Sequence, residues 1–450
     1  MKSSLEIARS ALELKSFLQT TIDQADFKLS PIKLSQQQEW TLTHGVLGHR
    51  SGGFFYITGL VDNISEKEQL VLYQPQGAFN GLVVCKQEKD VYVLLQARVE
   101  PGNSGIGQYG PTIQSTPANY LRFHGGKETP YFDFFFKYNP QVQPIANSMQ
   151  LDLGKRYFQK SKILSYVESD SLVDTAENMI WVPLKVITEV LYYDNFLNTD
   201  LRSMIGVFDW DLFLDLKPST STDTTHTNFD FDRDLSGKNM GKLVPLSQLQ
   251  NWELTEQGIV DKANTGVSAN IYKVVSTTRE VKTWVQPLLC TANRGSITLL
   301  VRQAKNKSLD GSHSKTNLKS DRLTELEFLI SYQSEFGISG EKVLLPSEIV
   351  YPGENDTHQT TPHPDGKILC EVIQSEEGGR FYQNENIYRI ILVDSSVESG
   401  NEQFWISTDT LKGLLKSSNK VSIQLRCIAS LILENINPYT FAEQLVAINT

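Results

Sequence analysis

The stretch EWTLTHG, Glu39–Gly45, returns 212 residues later as NWELTEQG, Asn251–Gly258. YQPQG, with Gln74 and Pro75, returns at the same displacement as VQPLL, with Gln286 and Pro287. Further on, LLQARVEPG with Glu100 matches FLISYQSEFG with Glu335, and Pro111 matches Pro346, both displaced by 235. GKRYF at Gly154 then matches GGRFY at Gly378, Trp181 matches Trp405, and DLRSMI around Arg202 matches QLRCIASLI around Arg426, all displaced by 224. Matches in one order at so few displacements are the signature of an internal repeat. The chain therefore reads as two copies of one module, spanning residues 1–215 and 244–450, with a polar linker over 216–243. The second copy carries an excess in KNKSLDGSHSKTNLKSDR, a polar, glycine-containing segment that reads as a long hairpin loop.

Within a copy, GFFYITGLV, GLVVCK and VYVLLQARV are short apolar runs rich in Val, Tyr, Phe and Leu, the pattern of antiparallel strands joined by hairpins. Each copy closes on segments that space apolar residues by three and four, WVPLKVITEVLYYDNFLNTDLRSMIGVF and WISTDTLKGLLKSSNKVSIQLRCIASLIL. These predict helices packed on the sheet, with Ser407 or Asp409 able to cap one in the second copy. The fold class expected is α+β, each module a mostly antiparallel sheet with packed helices.

The chain has 450 residues, 40% of them hydrophobic and 21% charged, with a formal charge of −10. Those values predict a folded, soluble protein and argue against nucleic acid as a partner. No run approaches the length of a membrane span. The first twenty residues have helical spacing but are broken by Glu6, Arg9, Glu13 and Lys15, unlike a signal peptide, so a cytoplasmic location is expected. Cys85, Cys290, Cys370 and Cys427 show no paired spacing and read as buried reduced thiols.

One stretch exceeds what structure requires: EPGNSGIGQYGPTIQSTPANYLRFHGG, Glu100–Gly126. Its glycines leave backbone N–H groups accessible, Glu100 ends an apolar strand, and Gln114 leaves the loop. Tyr120, Arg122 and His124 alternate along YLRFH and would share one face of a strand. Arg122 suits a phosphate or carboxylate, and His124 a proton transfer near neutral pH. A solvated edge strand is the plain structural alternative. QSEEGGRFYQNENIYRI, with Glu376, Glu377, Arg380, Tyr382 and Tyr388, reads as a hairpin with a charged turn. There is no phosphate-binding loop, no dinucleotide fingerprint and no Cys/His cluster of zinc spacing; His358 and His363 lie in a polar loop. Side-chain acid–base work is the mode left open.

The motifs HRSGGFFYITGL, LLQARVEPGNSGIGQYGPTIQSTPANYLRFHGG with PYFDFFF after it, the paired QP signatures and QSEEGGRFYQNENIYRI together resemble the NDP-hexose 2,3-dehydratases, over nearly the whole chain. The resemblance implies two Nudix-like modules per chain, a homodimer, and a dTDP-4-keto-6-deoxyhexose substrate whose product passes to a 3-ketoreductase or 3-aminotransferase. It implies neither redox cofactor nor metal. The glutamate-rich helix of hydrolytic Nudix proteins is absent, so pyrophosphatase activity is not implied. Glu100, Asn103, Gln114, Tyr120, Arg122 and His124 fall on the family's motif positions, as do Glu377, Arg380 and Tyr382. The roles this implies are Glu100 or His124 as base or acid, Asn103 and Gln114 as sugar or enolate donors, and Arg122 and Arg380 on the diphosphate. Either Trp40 or Tyr120 would face the thymine, although Trp40 also suits a core position. Copy two lacks the equivalents of the asparagine and glutamine, so the pockets are unequal or one is shared. A nucleotide-sugar binding protein and an isomerase or epimerase are the alternatives; the intact EPGN and PTIQ segments favour dehydration.

Overall fold

A computed structural model describes residues 5–62, 66–87, 90–120, 128–214, 241–262, 266–279, 281–304, 326–338, 342–351 and 366–432. The described chain is α+β and rich in sheet. Its framework is two seven-stranded sheets, one from each half, with the same order of pairing. In the first, Val142–Leu151 lies antiparallel to Ser161–Ser169, which runs parallel to Ala78–Gln87; Asp90–Val99 and Met179–Pro183 follow, antiparallel. In the second, Lys367–Ser375, Glu385–Leu392, Gly295–Gln303, Leu326–Ser334 and Gln403–Ser407 take the same places in the same directions. In each sheet a short hairpin wedges between the two central strands. Gly107–Gly110 pairs with one and Ile113–Ser115 with the other, as Lys342–Pro346 and Glu348–Val350 do in the second half.

Two smaller sheets exchange strands. Lys28–Pro31, from the first half, pairs with Val267–Val275 of the second. Lys242–Val244, just ahead of the second half, pairs with Tyr56–Val61 of the first. The expected linker thus ends in a strand at residues 242–243; residues 215–240 of it lie outside the described residues, as do the long hairpin segment of copy two and both loop histidines, His358 and His363.

The expected helices form at Leu184–Val190 and Thr199–Val207 in the first half, and at Thr408–Leu415 and Ile423–Ala429 in the second. Ser407 caps the third of these, accepting from the Thr410 N–H at 3.2 Å. The N-terminal helix, Ala11–Ala25, is capped by Ser10 and buries Leu14 and Leu18. Thr199–Val207 and Ile423–Ala429 pack directly: a Cβ on Gly206 would sit 2.1 Å from the Arg426 carbonyl oxygen. Each helix carries a buried arginine that clamps the other half. Arg202 donates to the Ser375 carbonyl at 3.0 Å, and Arg426 to the Leu151 carbonyl at 2.6 Å. One continuous apolar core joins both halves.

Two expectations need correction here. YLRFH is not read out as a strand at Tyr120. Pro117 starts a short helix that Tyr120 ends, with the Asn119 and Tyr120 N–H groups donating to the Thr116 carbonyl. Proline at a first helical position favours that geometry, since its missing N–H costs nothing there. Arg122 and His124 lie outside the described residues. Secondly, all four cysteines are free, but Cys290 is only half-buried, beside the Tyr272 hydroxyl. No helix of the described residues is long and apolar enough to cross a membrane.

Candidate active site

The strand Asp90–Val99 is apolar until its last residues, where Gln96, Arg98 and Glu100 follow at intervals of two and so share a face. The Arg98 guanidinium spans them. Its Nε and Nη2 donate to one oxygen of Glu100 at 3.2 and 2.9 Å, and its Nη1 donates to Gln96 Oε1 at 2.7 Å. Glu100 is only 6% exposed, so this is a shielded, charge-assisted pair rather than a surface ion pair.

The chain after Glu100 turns tightly. The Glu100 N–H donates to the Ile106 carbonyl, Asn103 N–H to the Glu100 carbonyl, and Gly105 and Ile106 both take positive φ, 73° and 72°. The turn delivers Gly107–Gly110 back alongside Arg98. A Cβ on Gly110 would meet Arg98 Cδ at 2.6 Å, Asn198 Nδ2 at 2.9 Å and Gln114 Oε1 at 3.3 Å. The bare Gly110 is therefore where these side chains converge. Asn198, the cap of the helix Thr199–Val207, donates to Gln114 Oε1 at 2.9 Å. Gln114 lies opposite Asn80, a fully buried amide with neither polar atom partnered among the described residues.

The corresponding places in the second half are filled differently. Where Arg98 lies opposite Gln108, Gln333 lies opposite Val343; where Gly110 lies opposite Gln96, Leu345 lies opposite Ser331; where Gln114 lies opposite Asn80, Ile349 lies opposite Ile297. Glu335 keeps the turn position but has no arginine. Tyr351 donates to one of its oxygens at 2.7 Å, and burial, outweighing Tyr351, Lys155, Arg426 and Gln424, pushes its pKa up to about 7. The first half thus lines this region with amides, a guanidinium and a carboxylate; the second keeps the carboxylate, sets an amide where the guanidinium would be, and puts aliphatic groups at the places of Gly110, Gln114 and Asn80.

The two expected site segments meet through backbone. The Gly102 N–H donates to the Gly378 carbonyl at 2.7 Å and the Gln383 N–H to the Gly102 carbonyl at 2.7 Å. Asn103 sits in this joint, 4% exposed, with its Oδ1 where a Cβ on Gly378 would approach to 1.9 Å. The side chains of the second segment turn elsewhere. Glu377 accepts from the Tyr157 hydroxyl at 2.9 Å and lies 3.9 Å from Lys160, at the rim of a buried network in which Lys160 and Lys162 pair with Asp152, and Lys162 with Asp200 at 2.6 Å. Burial alone would raise the Glu377 pKa, but Lys160, Arg380 and Lys162 outweigh it and hold the carboxyl below its ordinary value. Arg380 lies over the Phe55 ring at 4.4 Å, with its Nε buried and unpartnered among the described residues. Tyr382 stacks on Tyr272 at 5.0 Å.

Tyr120 stacks on Phe132 at 5.1 Å and adjoins Phe136. Trp40, expected as a base-stacking ring, is instead a core residue. It is 3% exposed, donates its indole N–H to the Val285 carbonyl at 2.7 Å and packs against Phe55. Its repeat partner Trp252 is buried likewise, with its N–H on the Val267 carbonyl. Arg98, Gln96 and Asn198 were not singled out from sequence. The period-two run Gln96, Arg98, Glu100 at the end of an apolar strand was the available signal. Among the described residues, no group of three or more His, Cys, Asp or Glu is placed to hold a metal ion.

A shielded carboxylate fixed beside amides has the groups that proton transfer on a hydroxyl-rich ligand calls for. The chain belongs to the NDP-hexose 2,3-dehydratase family, whose pattern matches residues 11–208, 232–309 and 356–432, and it is a sugar-nucleotide dehydratase. Among its relatives, the dTDP-4-dehydro-6-deoxy-alpha-D-glucopyranose 2,3-dehydratase of Saccharopolyspora spinosa is 24% identical over 452 residues, covering 93% of this chain and 90% of the relative. The enzyme of the same name from Amycolatopsis orientalis is 25% identical, covering 93% and 89%. That of Streptomyces violaceoruber is 26% identical, covering 86% and 88%. Among solved structures, the Nudix hydrolase RenU of M. smegmatis overlaps 29% of this chain and 83% of its own, at 12% identity and a TM-score of 0.18, a likeness too slight to bear on the fold.

Proposed function

We propose that the chain removes water across carbons 2 and 3 of dTDP-4-dehydro-6-deoxyglucose, giving a 3,4-diketo-2,6-dideoxy sugar, and that the first half holds the working site. The ketone at carbon 4 acidifies the proton on carbon 3; a base takes it, the enolate expels hydroxide from carbon 2, and the enol that results takes a proton at carbon 2. Glu100 moves a proton in this scheme, and Gln114 and Asn103 donate to the sugar or the enolate oxygen, a role worth about 3 kcal/mol per donor in comparable sites. Arg380, with an unpartnered Nε, and Tyr120 serve the diphosphate and the base.

The observation that carries the reading is the convergence of Arg98, Gln114 and Asn198 over Gly110 next to Glu100, set against Gln333, Leu345 and Ile349 at the places of Arg98, Gly110 and Gln114 in the second half. The identical strand pairing of the two large sheets supports a tandem repeat, which we take as two Nudix-like modules. The homodimer and the cytoplasmic location rest on the resemblance and on the sequence; light scattering and cell fractionation test them. The test of the reaction is incubation with dTDP-4-dehydro-6-deoxyglucose in deuterated water, trapping the product with a 3-ketoreductase. The trapped 2-deoxy sugar is expected to carry solvent deuterium at carbon 2. Recovery of unchanged substrate, or of an epimer that keeps its 2-hydroxyl, would contradict the reading.

A further inference from the structure

We infer that Arg98 is the positioning residue of this site and that Gly110 is bare to leave room for the Arg98 stem. The inference deepens the proposed function and rests on Glu100 as a proton-moving group. Three observations carry it. Arg98 commits two donors to a single oxygen of Glu100 and a third to Gln96. A planar guanidinium gripping an oxygen this way fixes where the carboxylate lies, which a point charge on a flexible stem does not. The stem of Arg98 also lies against Gly110, where a Cβ would come within 2.6 Å of its Cδ, and the Gln114–Asn198 pair borders the same bare position. Arg98 therefore holds the proton-moving carboxylate on the side of the site where the amides expected to meet the sugar converge. Finally, the second half keeps the glutamate and loses both devices together: Gln333 stands in register for Arg98, and Leu345 for Gly110. A structural arginine would have no reason to be paired with a bare position on the neighbouring strand.

Arg98 acts through Glu100 and needs no contact with the reacting atoms. Its loss should lower the turnover step more than substrate binding.

The test compares Arg98→Gln, Arg98→Lys, Gly110→Ala and Glu100→Gln in the full chain, with dTDP-4-dehydro-6-deoxyglucose as substrate and thermal unfolding as the check on folding. For Arg98→Gln we expect kcat to fall at least about tenfold with KM within about threefold. Arg98→Lys should recover only part of kcat, since it returns the charge without the fork. Gly110→Ala should reproduce the fall in kcat with Arg98 still present, and it carries the test if Arg98→Gln does not fold. Wild-type kcat in Arg98→Gln, beside an impaired Glu100→Gln, would overturn the inference and leave the reading of Glu100 standing. A fall in kcat with an equal or larger rise in KM, and Gly110→Ala like wild type, would mark Arg98 as structural and overturn it as well. Wild-type rates in Glu100→Gln would remove the reading of Glu100 and the inference with it.

Discussion

Gly102 donates its backbone N–H to the Gly378 carbonyl at 2.7 Å, and the same bond is made between the repeat-related pair, from Gly337 to the Gly154 carbonyl, at 2.6 Å. Each is completed by a returning N–H, Gln383 to the Gly102 carbonyl and Gln159 to the Gly337 carbonyl, and both glutamines adopt positive φ. The two halves thus hold each other by exchanged turns. Neither glutamate turn is complete on its own half, which gives a physical reason for a half without the polar lining to be kept.

A side chain at either glycine would force the halves apart. A Cβ on Gly102 would lie 1.6 Å from the Phe381 carbonyl oxygen, and one on Gly337 2.0 Å from that of Tyr157. Backbone cannot yield as a side chain does, so Gly102→Ala and Gly337→Ala should each cost about 3 kcal/mol of stability. Gly413→Ala is the control: it lies in the helix Thr408–Leu415 with nothing within 4 Å, and it should be neutral or stabilising by up to about 1 kcal/mol. Urea unfolding of the three variants checks this, and equal stability at all three positions would refute the exchanged-turn account.

Lys162 holds two carboxylates in the buried network, Asp200 at 2.6 Å and Asp152 at 3.1 Å, and both raise its pKa against the effect of burial. Lys162→Met would leave charge buried without its partner, a loss of about 3–5 kcal/mol. A variant that unfolds at the wild-type urea midpoint would show that the network is dispensable.

Glu376 is buried against Asn386, and burial pushes its pKa from 4.5 to about 7. The folded state therefore binds the proton more tightly than the unfolded one. The stability this contributes is complete below 4.5 and is lost as pH rises towards 7, on the order of 3 kcal/mol across the window. Asp152, held low by Lys160 and Lys162 despite its burial, titrates below that window. Glu376→Gln should accordingly lose less stability than wild type between pH 5 and 7; parallel curves from denaturant unfolding at each pH would contradict the assignment.

The repeat and the strands were legible because their signals are local. Trp40 and Trp252 fill equivalent core places, and GFFYITGLV, GLVVCK and VYVLLQARV all fall in strands, since apolar runs bounded by turn residues have few other outcomes. Tyr120 departs from the strand that the alternation along YLRFH suggests because the Thr-Pro ahead of it starts a helix. The exchange of Lys28–Pro31 and Lys242–Val244 between halves was not legible at all: strand partners are set by packing at a distance, and nothing in KLSP or KLV names a partner. In the site, Glu100, Asn103 and Gln114 announced themselves by motif. Arg98 and Asn198 did not, because what marks them is the convergence over Gly110, a relation between three strands and a helix cap.

The most direct test of the claim that the first half does the chemistry compares Glu100→Gln with Glu335→Gln, two nearly isosteric changes at repeat-related turns, in single-turnover assays on dTDP-4-dehydro-6-deoxyglucose. Glu100 stands among a guanidinium and amides, Glu335 among Tyr351, Ile338 and Gly154. The rate constant should fall at least about a hundredfold in Glu100→Gln and less than about tenfold in Glu335→Gln, with circular dichroism unchanged in both. A larger loss in Glu335→Gln, or no loss in either, would contradict the account.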